Sequence, residues 1–526
     1  MAADSLPHLL VSLTPIFFSS GASTPEVTAL RVVLTLTGTP SLDPMLYYLV
    51  NDGAIKTIPY GNLSASDSTG PFPLTSYLDT NSSNAVRYWS ATRQPVGDVV
   101  IRFLATPPAA LGVGNGPRID LRRDQGGVVG LGQGFIPRPA VDDEWNITVR
   151  WEGLDKFPWG MRAVSSLGEG AETTIQGRPG RVLDKTYFAV GNLSRWPPWE
   201  KRLEDGDGTG PFAMGFFGES QDSFRLFWRK AGMGYGGAGG FRSFLMEYTD
   251  LAAEELTTDD LENLVSHESV HGYALMNPVR QEDVWYREGV AVYYAVMAPF
   301  LAGAVDRKYF VRWMNNNAQS YYTGGTTGMD WKYVLDHYWT STELVRTSYF
   351  RGFIYLAQVQ GLISQATNGS KGLDDLVLSL YRRYKTDAVT QSEQFVSTLA
   401  DYIGQTAADA SFHNMTSGKL IIPEPGSLAR FGLRMVRQDM EKLELGFSES
   451  SLGRNISGLI PGSRAEEAGL REGDEVVRFW TLSTAADSVE NQMRVVVKRD
   501  GKEVVITYFP RSRDKVECYQ WVDVLS

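Results

Sequence analysis

Five histidines occur in the 526-residue chain, and two of them stand four residues apart with a glutamate directly after the first: His267, Glu268 and His271 in the run HESVH. A spacing of four puts two side chains one turn apart on a single helix face, so both imidazoles can reach one ion. Glu268 falls slightly round the cylinder, close enough to meet a water on that ion without being a ligand itself. Zinc in such a setting takes two imidazole nitrogens and one carboxylate and keeps its fourth position open for water. The third ligand should therefore be acidic and come from a neighbouring element. Glu288, in the run WYREGVAVYY, is the candidate, and Gly289 beside it permits a second helix to approach closely. The competing explanations are a helix with two surface histidines for HESVH, and a first-turn glutamate favoured by the helix dipole for Glu288.

The elements that must position these residues can be read around them. TTDDLENLVSHESVH begins with Thr257 or Thr258 as N-cap, carries Asp260 three residues after Thr257, and runs Leu261, Leu264 and Val265 as an apolar stripe, so it reads as a helix. The helical pattern continues through GFIYLAQVQGLISQA and LDDLVLSLYRRY to about Gly404, and the Pro/Gly run IIPEPGS (421–427) closes it. Before it, short β-rich runs such as LRVVLTLTG, DVVIRFLA and WNITVRWEG alternate with Gly-, Pro- and Asn-rich turns, as an antiparallel β domain would. The last hundred residues are again strand-rich. The expectation is a multidomain α+β protein with a β-rich domain over 1–180, a catalytic domain over 181–425 and a small third domain over 426–526.

Composition narrows the partners. A net charge of −11 and no long basic run argue against a nucleic-acid groove or an anionic membrane surface. The apolar run at Leu9–Phe18 lacks a basic lead and contains Pro15, so it reads as a first strand rather than a signal peptide, and the uncharged stretch from Gly289 to Val305 is short for a membrane span. A single cysteine, Cys518, excludes an intrachain disulfide and favours a reducing, cytoplasmic setting.

The order HExxH, then an E-G helix start followed by Tyr-Tyr, resembles the gluzincin metallopeptidases. With an N-terminal β domain and a C-terminal segment that looks like a PDZ core, the chain is most similar to the glycyl aminopeptidase family (peptidase family sixty-one). The resemblance implies a thermolysin-like catalytic domain with zinc held by His267, His271 and Glu288, and with Glu268 as general base. It also implies an oxyanion-stabilising tyrosine in a Tyr-x-(Lys/Arg)-Gly motif; YFRG puts this at Tyr349, with Arg351 and Gly352 in register. The chemistry so implied is peptide-bond hydrolysis by a zinc-activated water, by an aminopeptidase acting on peptide or protein substrates.

Two features depart from the family pattern or qualify it. The family's glycine-rich strand ends in an acid that anchors a substrate α-amine, whereas here GMGYGGAGG (232–240) is followed by Phe241, Arg242 and Ser243, and Glu247 comes only later. An endopeptidase of the same fold therefore stays open, as does a catalytically silent peptide-binding protein. The same glycines match a dinucleotide fingerprint, but that fingerprint must open a helix and FRSFLMEY is β-like. In the last segment, GRNISGLIPGSRAEEAGLREGDEVVRF carries the PDZ-like pattern, and ELGF (444–447) could bind a peptide C-terminus. Only about a dozen residues separate Phe479 from Met493, short for a groove-lining helix. His337, in WKYVLDHYW, is a possible cleft residue, and His413 is isolated.

Overall fold

A computed structural model describes residues 6–18, 25–38, 46–51, 60–79, 85–107, 120–141, 143–158, 160–193, 216, 224–230, 235–248, 257–273, 280–386, 390–480 and 482–524. The chain forms two compact units, Met1–Asp205 with Asp222–Thr257, and Gly206–Gln221 with Thr258–Ser526.

The first unit is built of sheets. A seven-stranded sheet runs in the order Glu172–Gly177, Trp145–Trp151, His8–Phe18, Glu26–Thr37, Val99–Ala105, Tyr60–Asp67 and Gly70–Pro71. The expected first strand is there, and its residues alternate between buried and partly exposed, as period-two patterning requires. The sheet is not purely antiparallel as expected. His8–Leu13 pairs in parallel with Asn146–Trp151, which the long intervening chain allows. Leu9, Val11, Leu13, Leu30, Val32 and Leu34 from this sheet share one core with Val128, Phe188 and Val190 of a five-stranded sheet.

On the other face of that five-stranded sheet, Val129, Leu131, Tyr187 and Ala189 pack with Phe227 and Leu245 of a three-stranded sheet ordered Arg225–Lys230, Ser243–Tyr248, Tyr235–Gly240. The Tyr187 hydroxyl also donates to the carbonyl of Ala238 at 2.9 Å. This packing puts the division of the chain near Thr257 rather than at 180, because the glycine strand and its partners share a core with strand Tyr187–Gly191.

The second unit holds the long helices. Val284–Leu301 and Thr342–Ala366 lie at its centre, among Arg307–Thr323, Leu373–Lys385 and Ser392–Ile403. Val284–Leu301 is buried along almost its whole length, and among the described residues no helix is long and apolar enough to cross a membrane. Helix continues past Gly404 as Gln405–Thr416.

The segment expected as a separate third domain belongs to this second unit. It has a small core of its own, with Phe447, Ile456, Leu470, Val476, Val495, Val497 and Ile506. Its flanking strands, Leu433–Arg437 paired antiparallel with Tyr519–Asp523, instead contribute Leu433, Met435 and Trp521 to the core of the helices, together with Cys518 just before the second strand. The expected short helix is Arg464–Glu467, capped by Ser463, whose side chain accepts from the Glu466 N–H. Among the described residues, the interval between Phe479 and Met493 holds the five-residue helix Leu482–Ala486.

Candidate metal centre

Helix Thr258–Val270 begins with Asp259 and Asp260 in its first turn, where carboxylates complement the positive end of the helix dipole. His267 and Glu268 lie in its last turn; His271 falls in the turn immediately after it, which Gly272 N–H to Ser269 O and Tyr273 N–H to Val270 O keep wound. The two imidazoles still converge, with Nε2 atoms 3.2 Å apart.

Glu288 lies in the second turn of Val284–Leu301, one turn deeper than a helix-opening residue. The start of this helix is pinned from outside. Asp283 Oδ1 accepts from the Ser392 N–H (3.0 Å) and hydroxyl (2.6 Å), and Trp285 Nε1 donates to the same hydroxyl at 3.0 Å. This helix and Thr342–Ala366 touch at Gly289 and Gly352, neither of which has room for a side chain.

Glu288 Oε2 lies 3.5 Å from His267 Nε2 and 3.5 Å from His271 Nε2. His267, His271 and Glu288 are the one group of three such side chains, among the described residues, whose donor atoms could surround a metal ion. Bonds of about 2.0–2.1 Å to a tetrahedral zinc imply edges of about 3.3 Å between ligand atoms. The observed edges, 3.2, 3.5 and 3.5 Å, are of that size. Glu288 Oε2 is also buried without a hydrogen-bond partner among the described residues, a costly condition for a carboxylate oxygen unless a cation faces it. The donor set and its spacing fit zinc.

The electrostatics agree. Burial alone would raise the Glu288 carboxyl, but the charge of His271 and the closeness of both imidazoles hold it well below the usual carboxylate range. His271 is pushed the other way: burial disfavours its charged form, and Glu288 more than offsets this and raises it. Glu268 is buried on the same helix, and its charge adds to the raising of His271.

The ring of Tyr349, on helix Thr342–Ala366, lies parallel to the His267 imidazole, with centroids 5.7 Å apart and planes 7° apart. Arg351, two residues on, is buried and donates to the carbonyls of Thr326 (2.8 Å) and Thr327 (3.3 Å). The structure thus gathers His267, His271, Glu288 and Tyr349 in one place. His337 is not with them: it is exposed and stacks on Tyr333. Its neighbour Tyr338, which the sequence reading passed over, is buried, feels the charge of Glu288 and shares a 2.9 Å hydrogen bond with Ser348, the residue before Tyr349. Nothing but its place in an aromatic run marked it.

Glu247, which sequence alone did not place, lies in an ion network. Its Oε1 accepts from Arg229 Nε at 2.8 Å and Arg122 Nη1 at 3.0 Å, and both arginines also meet Asp120. Residues 235–240 of the glycine run form a strand, not the helix start that a dinucleotide fingerprint needs, and Gly232–Gly234 lie outside the described residues.

No family model matches the sequence, and no curated protein matches it. Solved structures do resemble the fold. An aminopeptidase N family protein from Idiomarina loihiensis superposes with a TM-score of 0.63 at 13% identity, over 98% of each chain. An M1 zinc metallopeptidase from Deinococcus radiodurans, a mutant bound to a Tyr-Ser-Ala substrate, gives a TM-score of 0.50 at 14% identity over 80% of this chain and 96% of that one. At these identities the likeness defines the fold: a mixed α+β multidomain protein with an N-terminal β-sheet unit like that of M1 peptidases.

Proposed function

We propose that the chain is a zinc-dependent metallopeptidase of gluzincin type that hydrolyses peptide bonds. The observation that carries this reading is the triangle of His267 Nε2, His271 Nε2 and Glu288 Oε2, with the glutamate oxygen buried and unpartnered among the described residues. Those three side chains would hold the ion. When bound, zinc polarises the scissile carbonyl and acidifies a water. Glu268 takes the proton that this water loses on attacking the carbonyl carbon, and delivers it to the amine as the C–N bond breaks. The Tyr349 hydroxyl donates to the oxyanion that develops. Arg351 anchors the 326–327 backbone against the same helix.

The neighbours described as an aminopeptidase N family protein and an M1 zinc metallopeptidase support an aminopeptidase, and the sequence motifs support the glycyl aminopeptidase branch with a thermolysin-like catalytic domain. One observation favours an endopeptidase instead: Glu247, the acid that follows the glycine strand, is occupied by Arg122 and Arg229. We read the C-terminal segment as PDZ-like, with Glu444–Phe447 as the site for a peptide C-terminus. The single buried cysteine fits a reducing compartment.

The test uses a mixture of short casein peptides, one half with free amines and one half N-acetylated, presented to the zinc-loaded chain and to Glu268→Gln. Turnover by the wild type and a loss of about 10²–10⁴-fold in Glu268→Gln at equal zinc content are expected. Equal turnover by the two proteins would remove Glu268 from the mechanism. No turnover by either would leave the silent peptide-binding protein. Faster cleavage of acetylated peptides would replace the aminopeptidase with the endopeptidase.

A further inference from the structure

We propose that Asp487 and Arg346 are positioning residues for Tyr349, so that a loop of the C-terminal segment sets the geometry of the oxyanion donor. This rests on the reading of Tyr349 given above. Arg346 lies three residues before Tyr349 on helix Thr342–Ala366. Its Nη1 meets Asp487 Oδ1 at 2.7 Å and donates to the Ser483 carbonyl at 3.0 Å, while Nη2 donates to Ser320 Oγ at 3.2 Å. Ser483 lies in the five-residue helix Leu482–Ala486 and Asp487 directly follows it, in the interval where the PDZ-like pattern leaves little room.

From the guanidinium a line of contacts leads to the metal centre. Arg346 lies over the Phe350 ring at 4.6 Å, the Phe350 and Tyr349 ring centroids are 6.3 Å apart, and Tyr349 stacks on His267. The loop is braced from behind as well. Arg511, buried in the same segment, donates to the carbonyls of Ser488 (2.7 Å) and Ala486 (3.2 Å), on either side of Asp487. A second grip holds the start of the helix, where the Glu449 carboxylate accepts from the Thr342 N–H at 2.9 Å and from the Thr342 hydroxyl.

Stability is a poor explanation for the pair. Arg346 and Asp487 side chains are only 12% and 28% exposed, and an ion pair withdrawn from water this far returns little net free energy over its desolvation. What a planar guanidinium held by three partners supplies is direction. Direction matters here because an error of about 1 Å in a group that meets the transition state can cost about 100-fold in rate.

The test compares Asp487→Asn, Arg346→Met and the charge-keeping Asp487→Glu, each in wild-type and Tyr349→Phe backgrounds of the full chain, using the fastest-cleaved peptide of the casein mixture. Asp487→Asn and Arg346→Met should lower kcat about tenfold at unchanged KM and zinc content, read at a temperature where each variant is fully folded. Asp487→Glu should keep more than half of kcat. In the Tyr349→Phe background neither loss should recur, since the hydroxyl whose position is set is gone. Undiminished kcat, or a loss of the same size in both backgrounds, overturns the positioning role while leaving Tyr349 as donor. Wild-type kcat in Tyr349→Phe alone overturns the donor and the positioning role together.

Discussion

Gly289 and Gly352 back onto one another where helices Val284–Leu301 and Thr342–Ala366 cross: a Cβ on Gly289 would lie 2.6 Å from Gly352 Cα, and one on Gly352 only 2.1 Å from the Trp285 carbonyl oxygen. The crossing sets how far Glu288, adjacent to Gly289, stands from Tyr349, three residues before Gly352. Gly352→Ala must push backbone against backbone, which no side-chain rotation relieves. Urea unfolding should show a loss of about 3 kcal/mol, and zinc titration should show weaker binding because Glu288 is displaced. Wild-type values for both would mean that the helices can part without consequence to the site.

Zinc removal provides the second expectation. An ion that binds only the folded chain stabilises it by about 4 kcal/mol at a thousandfold excess over Kd. The melting temperature of the wild type and of Glu268→Gln should therefore rise with added zinc, and that of His271→Ala and Glu288→Ala should not. Protons compete for the same atoms. Because Glu288 raises His271, its imidazole is protonated at a higher pH than an ordinary histidine, so zinc should be released earlier on acidification than from unperturbed imidazoles. Zinc occupancy followed by competition with a colorimetric chelator across pH checks the sign. Full occupancy in Glu288→Ala would remove that residue from the ligand set.

The components of the candidate site were legible because their signals are local or carried by a motif: four residues separate His267 from His271, and Glu288 sits beside a glycine. What sequence could not show are partnerships between distant residues. Glu247 finds Arg122 across 125 residues, and Arg346 finds Asp487 across 141. No periodicity encodes such pairs. The division of the chain was missed for the same reason. Val129 and Leu131 lie before residue 180 and Tyr187, Phe227 and Leu245 after it, in strands that look alike, and only their common core assigns them to one unit. The strand character of His8–Phe18 was readable from alternation, whereas its parallel partner was not.

The Glu247 network gives a third expectation. Glu247→Gln removes the charge shared by two arginines, one of them fully buried, and leaves Asp120 facing both. Breaking such a cluster should cost about 3 kcal/mol, seen as earlier urea unfolding. At a temperature where the variant stays folded, its ratio of free-amine to acetylated peptide cleavage should match that of the wild type. A shift of that ratio without a loss of stability would make Glu247 an amine anchor after all.

Cys518 offers a way to ask whether the C-terminal segment folds by itself. The residue is fully buried, and burial pushes its thiol up to about 12, so at pH 8 the folded chain presents almost no thiolate to an alkylating reagent. It shares a core with Trp285, Phe353 and Trp521 of the helical unit, while the small core around Val495 and Ile506 is separate. Iodoacetamide labelling at pH 8 along a urea titration should therefore begin only in the transition that changes the tryptophan fluorescence of the helices. Labelling at lower urea, with the helices still intact, would show that strand Tyr519–Asp523 leaves them on its own and that the segment is an independent domain.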